Sequence, residues 1–317
     1  MALLILMLYF GPAPAQAAEP QGEILFYSEH GGKGQLYLLE LGGGEIRPVG
    51  RSGSRPDHYP QWSPDGERIV FESYRKGGWH PWVMDADGGN ARRVSNLPGG
   101  SPRNYEFDPS FAPDGETVVM IRDFDLYRVP LRSQKSGRIG AATPDLYEIA
   151  PVASPDGERI AFAGFRESDD SVHLYTVDRA GKDRRQLTSG KGWNLAPAWS
   201  PDGRHLLFYS NRDGSFELYE LAAAGGDSPR RVLQSSAAEE AGFTKTALID
   251  PWDNDNGAVE QYRASYSPDG RWIVFSREID DDRELFVCDR AGRDIRRLTR
   301  RPGLDGMAAW RPRGAAP

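Results

Sequence analysis

The chain has 317 residues, 38% hydrophobic and 27% charged, with 36 Gly, 24 Pro, 8 Trp and a formal net charge of −7. An acidic chain without a basic tract argues against nucleic acid or an anionic lipid surface as its main partner, because both reward clustered Lys and Arg. Cys288 is the single cysteine, which rules out an intramolecular disulfide and a CxxC metal or redox site.

Met1 to Phe10 is an apolar run of ten residues, too short to cross a bilayer. Ala15-Gln16-Ala17 follows as an A-x-A cleavage site, so the pattern predicts a signal peptide over 1–17. The basic flank usual for such a segment is missing, since Lys33 is the first Lys or Arg. The expected mature chain is one domain, 18–317, periplasmic or secreted and without stable membrane insertion.

Three strand-like runs come next: Ile24 to Tyr27, Leu36 to Leu39 and Ile46 to Val49. A turn motif then recurs as Ser63-Pro64-Asp65-Gly66, Ala112-Pro113-Asp114-Gly115, Ser154-Pro155-Asp156-Gly157, Ser200-Pro201-Asp202-Gly203 and Ser267-Pro268-Asp269-Gly270, with a decayed copy ending at Pro312. Proline presets φ at the first corner, Asp bonds its own backbone and Gly accepts positive φ, which makes each copy a hairpin turn. The motif prolines are 49, 42, 46, 67 and 44 residues apart, the period of a four-stranded propeller blade with one long insertion.

Each copy sits between a short aromatic-containing run such as Pro197-Ala198-Trp199 and a longer one such as Trp272-Ile273-Val274-Phe275. A third run (Leu126-Tyr127, Leu174-Tyr175, Leu218-Tyr219, Leu285-Phe286) and a short fourth (Arg185 to Thr188, Arg297 to Thr299) complete the unit. The N-terminal unit has three strands and the C-terminal unit one, at Ala309-Trp310. The expected fold is therefore all-β, a six-bladed β-propeller of antiparallel four-stranded blades closed by pairing the two terminal strands in one blade. Closure also protects sheet edges.

These residues resemble the TolB-type β-propeller repeat, with its W-S-P-D-G turn, S-N-R-D-G loop and L-Y strand; Ser210-Asn211-Arg212-Asp213-Gly214 with Leu218-Tyr219 is nearly complete. The resemblance runs from Gly22 to Pro312 and covers the propeller alone, with no room before Ile24 for TolB's N-terminal α/β domain. It implies an envelope setting and protein partners. Similar blades also occur in the gating domains of prolyl-oligopeptidase-like peptidases and in oligogalacturonate lyases, so fold by itself does not assign function.

No G-x-S-x-G elbow, H-E-x-x-H or P-loop is present. Seven residues before each motif proline stand Asp57, Glu106, Glu148, Asn194, Gln261 and Asp305, every one an acid or an amide. They are expected to crown one mouth of the central channel. A second register, Arg75, Arg122, Arg166, Arg212 and Arg277, opens on the same face. Either each arginine locks a crown carboxylate, or the crown is left open for a cation, a basic peptide or a partner loop.

The insertion, about 235–262, lies on that face too. Its Trp252 is a candidate interface anchor, with His58 and Tyr262 on the neighbouring rim. Asp250, Asp253 and Asp255 offer oxygens to a calcium ion but do not follow the EF-hand pattern, and no cofactor is expected. The leading expectation is a non-enzymatic, monomeric scaffold binding an envelope protein or peptide. The alternatives are a glycan lyase or hydrolase using crown acids, His58 and Tyr262, or a sensor or scaffold related to peptidase-gating propellers.

Overall fold

The computed structural model describes residues 19–30, 33–50, 57–75, 78–96, 106–226, 228–233, 262–279 and 282–313. The segment 1–17 expected to be a signal peptide, Gln261 and the insertion with Trp252 and its three aspartates lie outside them, apart from Tyr262.

The chain starts with β1 (Gly22–His30), β2 (Lys33–Leu41) and β3 (Ile46–Val49). Five strand groups follow. They are β4 (Asp57–Trp62) with β5 (Arg68–Ser73), β6 (His80–Asp85) and β7 (Arg92–Arg93), then β8 (Glu106–Phe111) with β9 (Thr117–Arg122), β10 (Asp125–Pro130) and β11 (Gly137–Arg138). The third is β12 (Tyr147–Ala153), β13 (Arg159–Phe165), β14 (Ser171–Asp178) and β15 (Arg185–Gln186), and the fourth β16 (Gly192–Trp199), β17 (His205–Ser210), β18 (Glu217–Ala222) and β19 (Arg230–Arg231). The fifth is β20 (Ser265–Tyr266), β21 (Trp272–Ile279), β22 (Asp282–Asp289) and β23 (Arg296–Arg297), after which β24 (Leu304–Trp310) ends the chain.

Within each group consecutive strands pair antiparallel. β24 pairs with β1, in a register that sets Ile24 against Trp310, Leu25 against Ala309 and Ser28 against Asp305, so both ends of the described chain share one sheet. Short parallel contacts, β14 to β16 and β22 to β24, link neighbouring groups. The first strands also touch in succession: β4 with β8, β8 with β12, β12 with β16, β16 with β20, β20 with β24 and β24 with β4.

The β5-type and β6-type strands are near-continuous apolar runs because both their faces are covered. Val70 and Val83 pack on Phe111, Val118 and Met120 of the next group, and Val119 and Ile121 pack on Ile160 and Phe162 of the one after. Each such large side chain stabilises by about 1.5–3 kcal/mol through burial. The aromatic residues before the motif turns tie each group to the preceding one. Trp62 Nε1 donates to the Ala309 carbonyl at 3.3 Å, Trp199 Nε1 to that of Val152 at 3.1 Å, and the Tyr266 hydroxyl to Glu220 at 2.5 Å.

The Ser-Pro-Asp-Gly turns are built alike, while in the Ala112 copy Thr117 supplies the hydroxyl that donates to the motif aspartate. Ser154 Oγ donates to Asp156 at 2.5 Å and accepts from the Arg159 amide at 2.9 Å, while Asp156 also accepts from the Glu158 amide at 3.0 Å. The Ser154 and Ser200 hydroxyls hold Asp156 and Asp202 below the usual carboxylate range. The motif aspartates are thus turn-formers.

Close approach between groups leaves room for glycine alone at Gly292, where φ is +77° and a Cβ would lie 1.8 Å from the Val232 carbonyl oxygen. Gly292→Ala is therefore expected to cost about 3 kcal/mol or more, combining strain at positive φ with a backbone clash. Urea denaturation checks this, and a loss below 1 kcal/mol would contradict the packing.

Candidate functional site

The crown residues that are described sit at the starts of the first strands and are buried: Asp57 5% exposed, Glu106 2%, Glu148 4%, Asn194 2% and Asp305 0%. They sit at the seams between groups. Glu106 accepts from Ser95 Oγ, with His80 Nδ1 and Arg93 Nη2 each 3.5 Å away. Glu148 accepts the Leu126 amide of the preceding group at 2.7 Å and Arg184 Nη2 at 2.6 Å. Asn194 Nδ2 donates to the Val172 carbonyl of the preceding group at 2.7 Å, and its oxygen accepts from Arg212 at 2.6 Å.

The arginine register pairs as expected at two positions, with Arg75 on Asp57 at 2.6 Å and Arg212 on Asn194. Elsewhere the partners differ. Arg122 Nη1 donates to Ser136 and Arg166 Nη1 to the Pro144 carbonyl, while Arg277 reaches back to Glu217 of the preceding group. Arg184, on the turn before β15, occupies the place expected of Arg166. A third-strand acid also recurs with a fourth-strand arginine: Arg138 on Asp125, Arg231 on Glu217 and Arg297 on Glu284.

Burial pushes the carboxyl groups of Asp57 and Glu148 above their ordinary values, against Arg75 and Arg184. Asp305 is raised most of all by burial; Ser28, Thr299 and His30 oppose the shift and Glu284 adds to it. Neither Asp305 oxygen accepts a well-aligned hydrogen bond among the described residues, and His30 Nε2 stands 3.8 Å away.

An acid whose folded pKa is raised contributes stability below its unfolded pKa and loses it as pH rises through the folded pKa. Asp305→Asn should therefore raise the melting temperature at pH 7, because it removes a buried carboxylate that is costly to ionise. The gain should fade as pH drops towards about 4, the unfolded value for Asp. Thermal melts of both chains from pH 7 to pH 4 test it, and a variant less stable at pH 7 would refute it.

His58 is stacked on Trp79 at 5.0 Å and meets Tyr27 edge-on at 4.9 Å; burial pushes its pKa down to about 4, so it is neutral at pH 7. Tyr262 is 1% exposed, with its hydroxyl on Glu278 at 3.0 Å and the Arg283 guanidinium 4.3 Å over its ring. Among the described residues no group of three or more His, Cys, Asp or Glu is placed to hold a metal ion.

A second set of residues lies two positions after the crown: Tyr59, Asp108, Ala150, Ala196, Arg263 and Met307. Five of them have φ between 50° and 55°. There the first strand breaks register with the second and forms a bulge. A bulge re-aims the side chain, and here the re-aimed groups meet at the axis. The Tyr59 amide donates to Met307 Sδ at 3.3 Å, and Arg263 Nη2 reaches Asp108 Oδ1 at 3.3 Å across 155 residues of sequence. The Arg263 guanidinium also lies 5.1 Å over the Tyr59 ring. Asp108 is steadied by the Ala150 amide at 2.7 Å.

From this plug towards the motif turns, the ends of the first strands enclose a cavity of about 470 Å³. Its walls include Trp62, Phe111, Trp199 and Tyr266, motif prolines rim it, and Arg263 forms part of its lining. None of the described crown residues lines it. Sequence reasoning missed the axial set, for which the only signal was the opposite charge of Asp108 and Arg263, equivalent positions three repeats apart.

Repeated antiparallel four-stranded sheets whose first strands converge on one axis, with a funnel at one end, define a β-propeller. The profile of the TolB β-propeller domain matches residues 9–138 and 127–247, and the chain belongs to that family. It is 28% identical over 208 residues to a Tol-Pal system protein TolB of Francisella tularensis, covering 63% of this chain and 46% of that one. It is 30% identical over 152 residues to a TolB homologue of Chlorobium chlorochromatii, covering 46% and 32%. The chain thus spans less than half the length of these relatives. Among solved structures it is similar to TolB from Acinetobacter baumannii, with a TM-score of 0.71, 19% identity and coverage of 92% of this chain and 67% of that one. A protein assigned as TolB from Agrobacterium tumefaciens has a TM-score of 0.62 at 19% identity, with 88% of each chain covered. At these identities the structural likeness speaks to fold alone.

Proposed function

We propose that this chain is a six-bladed TolB-type propeller, closed through β24 and β1, that works as an exported, monomeric, non-enzymatic binding module for a protein or peptide of the cell envelope. The cyclic succession of first-strand contacts supports the blade count and the closure. Relatives named as Tol-Pal system proteins support the setting, and the apolar N-terminal run supports a periplasmic location.

The observation that carries the binding reading is the axial funnel of about 470 Å³, which is concave, largely apolar and furnished with a few converging polar groups. In this reading Asp57, Glu106, Glu148, Asn194 and Asp305, buried at the seams, hold blades together and position the loops above them; Gln261 stands at the same position of the sequence repeat, seven residues before Pro268. Partner contact falls to the funnel, which His58 and Tyr262, each one residue after a crown position, do not line.

The test is capture from an envelope extract on the immobilised chain, with Ala153→Phe as control. Ala153 lines the funnel and is half-buried, so the larger ring fills the cavity without touching the crown. A discrete protein retained by the parent and lost in the control is the expected result. Identical proteins on both would remove the funnel from binding, and cleavage of a polysaccharide panel by the parent would replace the reading with an enzymatic one.

A further inference from the structure

The funnel is blind. At its floor the Arg263–Asp108 pair spans the axis between β20 and β8, which lie three first strands apart in the succession, and Tyr59 closes the gap beneath the guanidinium. A chain entering from the motif-turn end must therefore stop there. What meets it is distinctive: among the described residues Arg263 and Arg313 are the charged groups of the lining, with no carboxylate beside them. Asp108 Oδ1 accepts from Arg263 Nη2 alone and does not itself line the funnel, so the guanidinium has further N–H groups to offer a ligand there. Arg263 is only 8% exposed and is held between a carboxylate and an aromatic face, so its fork is already oriented. The remaining described polar lining includes Gln61, Ser110, Ser265 and Ser267, which carry hydrogen-bond donors, above walls of indole, phenyl, phenol and pyrrolidine rings.

We propose that the funnel binds the C-terminal end of an extended peptide, with the terminal carboxylate accepting hydrogen bonds from Arg263 at the floor and the preceding residues packed against Trp62, Trp199 and the motif prolines. This rests on the binding reading above and names the chemistry of its partner. A planar guanidinium matches a carboxylate in geometry and charge, and such charge-assisted bonds are stronger than neutral ones. A dead end selects a chain terminus over a passing loop, because only a terminus can place its last atoms at the floor. The apolar walls then reward side chains that would otherwise remain in water.

The experiment uses the full chain and a pool of N-acetylated tetrapeptides randomised at every position, prepared once with free C-terminal carboxylates and once as C-terminal amides. Affinity selection followed by calorimetry on the enriched sequences gives the constants. The free-carboxylate pool should be enriched, and amidation of an enriched peptide should weaken binding at least tenfold. Arg263→Gln should weaken the free acid by a similar factor and leave the amide little changed.

Arg263→Gln leaves Asp108 without its partner, so Ala153→Phe provides a second variant that keeps the pair intact; it should abolish binding of both forms. N-acetylalanine, which has the carboxylate without the chain, should bind far more weakly than the tetrapeptide. Equal binding of acid and amide, or no enrichment of either pool, overturns the proposal, and equal affinity for N-acetylalanine overturns its peptide part. An envelope protein captured by the parent, lost in Ala153→Phe and indifferent to its own C-terminal amidation would leave the binding function standing while this inference falls.

Discussion

A chain ending at Gly303 is expected to lose its cooperative unfolding transition. The deletion removes β24, and with it Met307 (1% exposed), Ala308, Ala309 and Trp310 (5% exposed) from between β1 and the fifth strand group. Trp310 alone donates its indole N–H to the Gln21 carbonyl at 3.0 Å and its amide to Ser265 Oγ at 2.8 Å. Emptying a buried tryptophan site costs about 3–5 kcal/mol, and the loss of β1's partner adds unpaired backbone groups along Ile24 to Glu29. Together these approach the whole stability of an ordinary domain, about 5–15 kcal/mol. Near-UV circular dichroism during a thermal melt reads the result. A truncated chain that melts within a few degrees of the parent would show that joining the two ends is not what holds the fold.

The second large effect belongs to Glu217. Its carboxylate accepts from Arg277 Nη1 at 3.0 Å and Nη2 at 2.9 Å, a bidentate pair between β18 and β21, and Arg231 approaches to 2.9 Å. Glu217 is 3% exposed and Arg277 4%. Glu217→Leu removes the anion that two guanidinium groups share and leaves positive charge in a dry seam, for which the expected cost is about 3–5 kcal/mol. Replacing Arg277 by Leu as well should restore part of the loss, because two apolar side chains can pack where one stranded charge cannot. Denaturant titrations of the two single variants and the double variant give the coupling. A Glu217→Leu cost under 1 kcal/mol, or a double variant worse than the sum of the singles, would contradict this account.

The crown and the arginine register show how far alignment of repeats carries. Counting back from the motif proline found acids and amides at one position, and the chain places the described ones together at the seams. The counterion was not readable in the same way. Arg166, in register, turns to the Pro144 carbonyl, while Arg184, outside the register, reaches Glu148 from a turn that folds back. A long arginine stem spans several ångströms, so its partner depends on the path of each loop, and loop lengths differ from repeat to repeat.

The axial set was harder still. Tyr59, Asp108, Ala150, Ala196, Arg263 and Met307 share neither size nor polarity, and a strand pattern of period two gives no hint that a bulge turns five of them to φ near +50°.

What the amino-acid sequence determined by itself is local and repetitive. The turn chemistry of proline, aspartate and glycine, the apolar runs on either side and their spacing specify antiparallel four-stranded units, because those interactions lie within a few residues of each other. What only the tertiary structure decided is everything that depends on bringing distant repeats to one axis. The pairing of Asp108 with Arg263 across 155 residues and the funnel above them exist only once the units are assembled, whereas the union of β1 with β24 was already implied by three strands at one end of the chain and one at the other. Electrostatic pairing and cavity shape depend on separations in space, and no local pattern along the chain records which side chains will share the centre.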